Sequence, residues 1–167
     1  MNRPALKWFC ALSLLFSISI VQALPDDKNK TAELLSDYAD LNQSEHHAEF
    51  IGNVVFTQGS SKLFALRVST DSTEDNKIKQ VIAYGDNKNP AHFLTRTQPD
   101  KPVMHAYART IYYYPTRHRI DLTGNARVIQ GNNVLTADKI RYDTEKQRVL
   151  SRSDSNQRVT ILINPEK

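Results

Sequence analysis

The sequence predicts an all-β protein: stacked antiparallel strand-turn-strand units, folded over into a two-sided sandwich with an apolar slot and two open ends. Three observations predict it. Beyond Leu41, apolar and polar residues alternate with a period of two, in runs rich in β-branched residues and Tyr. One segment of the chain recurs 72 residues later. Within each copy the alternation slips by one residue at the same place, as a β-bulge or sheet corner requires.

Bulk composition agrees and removes several function classes. A chain of 167 residues with 40% apolar and 24% charged residues is of one-domain size and can bury a core. Its 22 Lys and Arg against 18 Asp and Glu leave a dispersed charge of +4, too weak a signal for nucleic acid. A single Cys excludes an internal disulfide and a Cys-based zinc site. Five Gly and no G-x-x-x-x-G-K-[ST] string exclude a P-loop enzyme.

The N-terminus reads as an export signal. Arg3 and Lys7 precede an uncharged stretch of 14 residues, Trp8 to Val21. Val21-Gln22-Ala23 then offers a small-x-small cleavage site before polar Pro25-Asp26-Asp27. The apolar stretch falls short of the roughly 20 residues that span a bilayer. Residues 1–23 are therefore expected to be removed, leaving residues 24–167 as a single domain. Cleavage takes Arg3, Lys7, Cys10 and Trp8, so 144 residues remain with a charge of +2 and no Cys. Such an exported chain has only sheet pairing and apolar burial to hold it together.

Taken in order, Lys28 to Tyr38 reads equally as a short helix or an edge strand. Val54-Val55-Phe56-Thr57 is the first clear strand signal. Asp86 to Pro102 contains three Pro and reads as an irregular connection, interrupted by a strand at Ala91 to Thr95. Ile120 to Thr123, Ala126 to Gln130 and Arg158 to Ile163 complete the strand runs. The repeat aligns Gly52-Asn53-x4-Gln58-Gly59 with Gly124-Asn125-x4-Gln130-Gly131. At the same offset Phe50 matches Leu122, Leu63 matches Leu135, Ala65 matches Ala137 and Val68 matches Ile140. A unit this small cannot bury its apolar face alone, whereas stacked units share a continuous core. Leu135 and Ala137 lie on one parity and Ile140 and Tyr142 on the other. Leu63 and Ala65 slip against Val68 in the same way, so each layer bends at one place.

A stacked sheet ends in unpaired strands. The last segment, with Val159, Ile161 and Ile163 on one face, is expected to be an edge open to strand addition by a partner or a second copy. Only Arg158 and Pro165 guard it. Copies joined head to tail would form an open filament.

These residues also resemble a known family. Phe50-x-Gly52-Asn53-Val54-Val55-x-Thr57-Gln58-Gly59 is similar to the first motif of the OstA-like family of periplasmic lipopolysaccharide-transport proteins. Ile120-x-Leu122-Thr123-Gly124-Asn125-Ala126-x-Val128-x-Gln130-Gly131 is similar to the second. Asn89-Pro90-Ala91-x-Phe93, Lys101-Pro102-Val103, Asp138-Lys139-Ile140-x-Tyr142 and Arg158-Val159-Thr160 continue the likeness, which covers Ser36 to Ile163. Leu66 departs from it where the family usually has Asp, and Asn89 where it usually has Gly. The resemblance implies an OstA-like twisted β-jellyroll open at both ends. It also implies lipopolysaccharide bound by its acyl chains, and end-to-end assembly bridging an inner-membrane export component (LptC-like) to an outer-membrane translocon (LptD-like).

Alternation and the repeat place Phe50, Val54, Phe56, Leu63, Leu122, Val128 and Leu135 on the inner face, with Phe93, Ile111 and Leu34 beside them. These are the candidate lipid contacts. Arg67, Arg117, Arg119 and Arg127 are candidates for polar headgroups at the rim. No catalytic residue, metal site or cofactor is expected. Glu45-His46-His47-x-Glu49 has ligand-like residues, but adjacent His point apart on a strand or turn. His92 and His105 accompany no nucleophile signature, and Tyr112-Tyr113-Tyr114 reads as strand packing. The rival readings are a structural connector that carries no lipid, and a secreted carbohydrate-active enzyme, which would need paired carboxylates at a cleft.

Overall fold

The computed structural model describes residues 30–75, 77–143, 145–146, 148–154 and 158–164. The expected leader, Lys28 and the guard residue Pro165 lie outside them. Among the described residues, twelve strands form one sheet. They are β1 (Ala32–Leu35), β2 (Tyr38–Asn42), β3 (His47–Gln58), β4 (Ser61–Ser72), β5 (Ile78–Tyr84), β6 (Ala91–Thr95), β7 (Met104–Ala108), β8 (Thr110–Tyr114), β9 (Arg119–Gln130), β10 (Asn133–Asp143), β11 (Arg148–Arg152) and β12 (Thr160–Leu162), with a 3-10 turn at Pro115–Arg117. The ambiguous N-terminal segment is thus a strand, β1, and the predicted strand in the Pro-rich connection is β6. The final strand is shorter than the sequence run suggests. Val159 and Ile163 flank β12 rather than belong to it, and only Ile161 of the three expected edge residues lies within the strand.

The pairings are all antiparallel and resolve into two layers. The first layer runs β2, the N-terminal half of β3, the C-terminal half of β4, β5, β8, the N-terminal half of β9, the C-terminal half of β10, and β11. The second runs β1, the other halves of β3 and β4, β6, β7, the other halves of β9 and β10, and β12. Each of β3, β4, β9 and β10 therefore serves both layers. The short strands fill the remaining rungs in pairs: β1 with β2, β5 with β6, β7 with β8, β11 with β12. The result is a folded-over stack of eight rungs.

The bend has a local cause. Between the pairs Ile51↔Arg67 and Val54↔Ala65, Gly52 and Asn53 stand opposite the single residue Leu66. Between Thr123↔Lys139 and Ala126↔Ala137, Gly124 and Asn125 stand opposite Asp138. Two residues against one is a bulge, which turns the strand and swaps the faces of its side chains. Both residues of each pair have positive φ, +80° and +46° at the first corner and +82° and +51° at the second. Gly adopts this backbone freely and Asn tolerates it. The departure at Leu66 leaves this corner geometry intact.

Small residues fill the spine where the layers meet. Ala83, Ala91, Ala108, Ala126 and Ala137 are buried, with Val54, Val68 and Ile140 between them. Val54 and Val68 are each 1% exposed, and burying a side chain of that size contributes about 1.5–3 kcal/mol. Alanines allow the layers to approach closely at the spine. Away from it, larger side chains line the inner face and their burial falls.

Candidate functional site

The register writes the inner face out as continuous rows. In the second layer Leu34 stands opposite Phe56, Phe56 opposite Leu63, and Leu63 opposite Phe93. Phe93 then stands opposite Ala106, Ala106 opposite Val128, Val128 opposite Leu135, and Leu135 opposite Ile161. This row crosses all eight rungs without a polar residue. In the first layer the matching row is Ala39, Phe50, Val68, Ala83, Ile111, Leu122, Ile140 and Ser151.

Nine of the ten candidate lipid contacts lie on these rows, Val54 sits beside the corner opposite Ala65, and the ten divide by depth. Val54, Leu63, Ile111 and Leu122 are at most 8% exposed and belong to the packed spine. Leu34, Phe50, Phe56, Phe93, Val128 and Leu135 pack on that core and remain partly exposed. Val81 and Ile120 share this half-buried position and were not among the candidates. The parity of Ile120, two residues before Leu122, was the signal that could have found it. Together the half-buried side chains make an apolar inner face on the packed core.

At either end the rungs stop at exposed apolar side chains. Leu35, Tyr38 and Leu41 are 55%, 58% and 70% exposed on the first rung; Ile161, Leu162 and Ile163 are 61%, 56% and 77% exposed on the last. Isolated exposed apolar residues are ordinary, but two such clusters on the two unpaired edges are not random.

The arginines expected at the rim sit elsewhere. Arg67 and Arg119 point outward, where Arg67 Nη1 donates to Glu49 Oε1 at 2.8 Å and its guanidinium lies 4.1 Å from the Tyr84 ring centre. Arg119 lies over the Tyr114 ring at 4.3 Å and 3.3 Å from the Asp121 carboxylate. Arg117 is in the 3-10 turn, also near Tyr114, and Arg127 pairs across the sheet with Tyr107 on the outer face.

Two of the histidine contacts cross between strands. His46 has a positive φ in the turn before β3, while His47 Nδ1 lies 2.8 Å from Asp71 Oδ1 across the β3–β4 pair. That hydrogen bond raises the His47 pKa above its ordinary value; burial opposes it, and the charges of Asp71, Glu49 and Glu45 add to it. On the outer face of the second layer His92 Nε2 and His105 Nδ1 are 3.1 Å apart, and His92 stacks on Tyr107 with ring centres 4.2 Å apart. Burial, and then the proximity of His105, lowers the His92 pKa. Tyr112 and Tyr114 stack on each other, while Tyr113 faces inward beside Val81 and Ile120.

The LptA/(LptD N-terminal domain) LPS transport protein family matches residues 33–148. The chain belongs to that family. As a member of the LptA/LptD N-terminal-domain family it has full-length relatives. It is 33% identical to the lipopolysaccharide export system protein LptH of Pseudomonas aeruginosa, over 97% of this chain and 98% of that one. It is 30% identical to the lipopolysaccharide export system protein LptA of Escherichia coli K12, over 99% of this chain and 88% of that one. The crystal structure of LptH, described as the LptA-homologous periplasmic component of the lipopolysaccharide transport device of P. aeruginosa, superposes with a TM-score of 0.74 at 34% identity. That match covers 84% of this chain and 100% of that one. The OstA-like jellyroll expected from the sequence is thus the family fold. Among the described residues, no helix is long and apolar enough to cross a membrane.

Proposed function

We propose that this LPS transport family member works in the periplasm by holding the acyl chains of lipopolysaccharide against the apolar inner face. The observation that carries this is the unbroken apolar row from Leu34 to Ile161, which crosses every rung from one edge to the other. Leaving an acyl chain in water costs about 0.8 kcal/mol per CH₂. A multi-acylated glycolipid therefore needs an apolar surface along its whole path, and a row without a polar break is such a surface. No step of this requires a catalytic group, and residues 24–167 form the working chain once the leader is cut.

The two edges support bridging by strand addition. The last rung runs from the first layer to the second, and the first rung runs the opposite way, so a second copy adds antiparallel, as every internal rung does. The inward row then continues from Ile161 of one copy to Leu34 of the next. The first rung carries Glu33, Asp37 and Asp40; the last carries Arg148, with Arg158 leading into β12 and Arg152 paired with Asp154 between. Opposite charge of this kind steers association. In this reading the chain forms head-to-tail oligomers, and the same edges receive an LptC-like component at the inner membrane and an LptD-like translocon at the outer membrane.

Photo-crosslinking with a benzoyl-phenylalanine probe at Phe93 or Val128, and at outward Lys62 as control, tests the lipid-carrying claim. Adducts with lipopolysaccharide at the two inner positions and none at Lys62 are expected. Adducts with neighbouring protein alone would instead make the chain a connector that carries no lipid.

A further inference from the structure

On the outer surface, where β9 turns its corner, Tyr107, Arg109, Asn125, Arg127 and the 86–90 loop surround a depression of about 290 Å³. It lies behind the inner face, on the outward parity of Tyr107, Arg127 and Ile129. Arg109 is pinned there. Its N–H donates to Gly124 O at 2.9 Å and its carbonyl accepts from Gly85 N at 2.8 Å. Its guanidinium lies across Gly124, in the space that a Cβ would need. The loop wall is fixed too. The Asp86 carboxylate accepts from the N–H groups of Lys88 and Asn89 at 2.7 and 2.6 Å, and Asn125 Nδ2 donates to Asn87 Oδ1 at 3.2 Å.

Four other outward arginines are neutralised by carboxylates, whereas Arg96, Arg117, Arg148 and Arg158 show no acidic partner among the described residues but are not part of this lining. Arg67 is paired with Glu49, Arg119 and Arg141 with Asp121, and Arg152 with Asp154. Neither Arg109 nor Arg127 has an acidic partner among the described residues. The fold does not require this charge. At the equivalent corner 72 residues earlier, Asp37 takes the place of Arg109 over Gly52, with its N–H on Gly52 O at 3.0 Å, and Val55 takes the place of Arg127.

We propose that this depression binds a phosphorylated sugar. Two guanidiniums lining one depression, with no acidic partner among the described residues, match the oxygens of a phosphate, for which Arg forms charge-assisted, often bidentate, hydrogen bonds. Tyr107, Pro90 and Ile129 supply an apolar wall for the sugar ring. Asn87 and the Tyr107 hydroxyl add polar contacts beside it. The ligand is either a soluble sugar phosphate or the phosphosugar headgroup of a glycolipid.

Titration of the 15N-labelled protein with glucosamine 1-phosphate, followed at the Arg Nε resonances, tests the site. Saturable shifts of Arg109 and Arg127, at lower concentration than with inorganic phosphate, are expected. Arg109→Gln and Arg127→Gln each weaken binding by about tenfold, and Arg141→Gln leaves it unchanged. Gly124→Ala, which displaces the guanidinium without removing its charge, weakens it as well. Thermal midpoints of the two exposed Arg variants confirm that they fold. Loss of the shifts on adding lipopolysaccharide assigns the headgroup as the ligand; their persistence assigns a soluble sugar phosphate. Shifts that never saturate, or an equal loss with Arg141→Gln, would overturn the proposal.

Discussion

Gly52 and Gly124 are one structural position used twice. Each begins a two-residue bulge, with φ of +80° and +82°, and each carbonyl accepts the N–H of a corner residue on a neighbouring rung, Asp37 and Arg109 respectively. Ala at either glycine is expected to cost about 1–2 kcal/mol for the left-handed backbone alone. Gly85→Ala is expected to cost more although its φ is not positive. Its Cβ would meet backbone atoms only, Asn89 O and Pro90 C at 2.5 Å among them, so the 85–91 connection must open. Gly131→Ala adds to its positive φ only one tight contact, Pro102 Cγ at 3.3 Å, which a shift of that ring by a few tenths of an ångström relieves. Urea midpoints of the four variants give the order.

Stability and lipid binding separate along the inner face. Leu122→Ala empties a packed site and is expected to cost about 2–5 kcal/mol. Phe93→Ala, on the half-buried part of that face, costs less stability but removes more lipopolysaccharide binding. Denaturant melts alongside a lipopolysaccharide binding assay check the split. Equal effects of both variants on both readouts would mean that the whole inner face is one packed core.

His47 and His92 respond to pH in opposite directions. The pKa of His47 is raised by Asp71, so its contribution to stability is complete below the ordinary value of 6.5 and is lost as pH rises through the raised value. The pKa of His92 is lowered by burial and by His105, so its contribution is complete above 6.5 and is lost as pH falls through the lowered value. NMR titration is expected to place the two on either side of 6.5. Asp71→Asn should bring His47 back down and leave His92 unmoved.

The edges offer a test of assembly. Asp at Ile161, at the end of the apolar row on the last rung, or at Leu41, 70% exposed on the first, puts a charge on an edge that a second copy must cover. Each single variant is expected to weaken self-association by at least tenfold while the monomer keeps its circular dichroism, and higher salt should weaken the wild type, because exposed charges are screened within about 10 Å at 0.1 M. Sedimentation velocity reads both effects.

The sequence carried the architecture because the repeat and the parity slip are consequences of the bend. Gly52-Asn53 and Gly124-Asn125 mark the corners, and Gln58-Gly59 and Gln130-Gly131 mark the tight turns, so the bend and the C-terminal end of β3 and of β9 were visible. Depth was not visible. Alternation assigns a face but not a distance from the spine, so Leu63 and Phe56 read alike although one is buried and the other half-buried. Pairings between distant residues were hidden for the same reason: His47 meets Asp71, and His92 meets His105, only through strand register. Arg109 sits at a corner, where alternation says nothing about direction, so the sequence pattern does not single it out.

The central claim is that acyl chains lie against the inner row. Isotope-filtered nuclear Overhauser spectra between lipopolysaccharide acyl CH₂ groups and protein methyls read this directly. Contacts to the methyls of Leu34, Val128 and Leu135, and none to outward Val55, Leu94 or Ile129, are the predicted result. Contacts to the outward methyls, or silence at the inner ones with lipid bound, would contradict it.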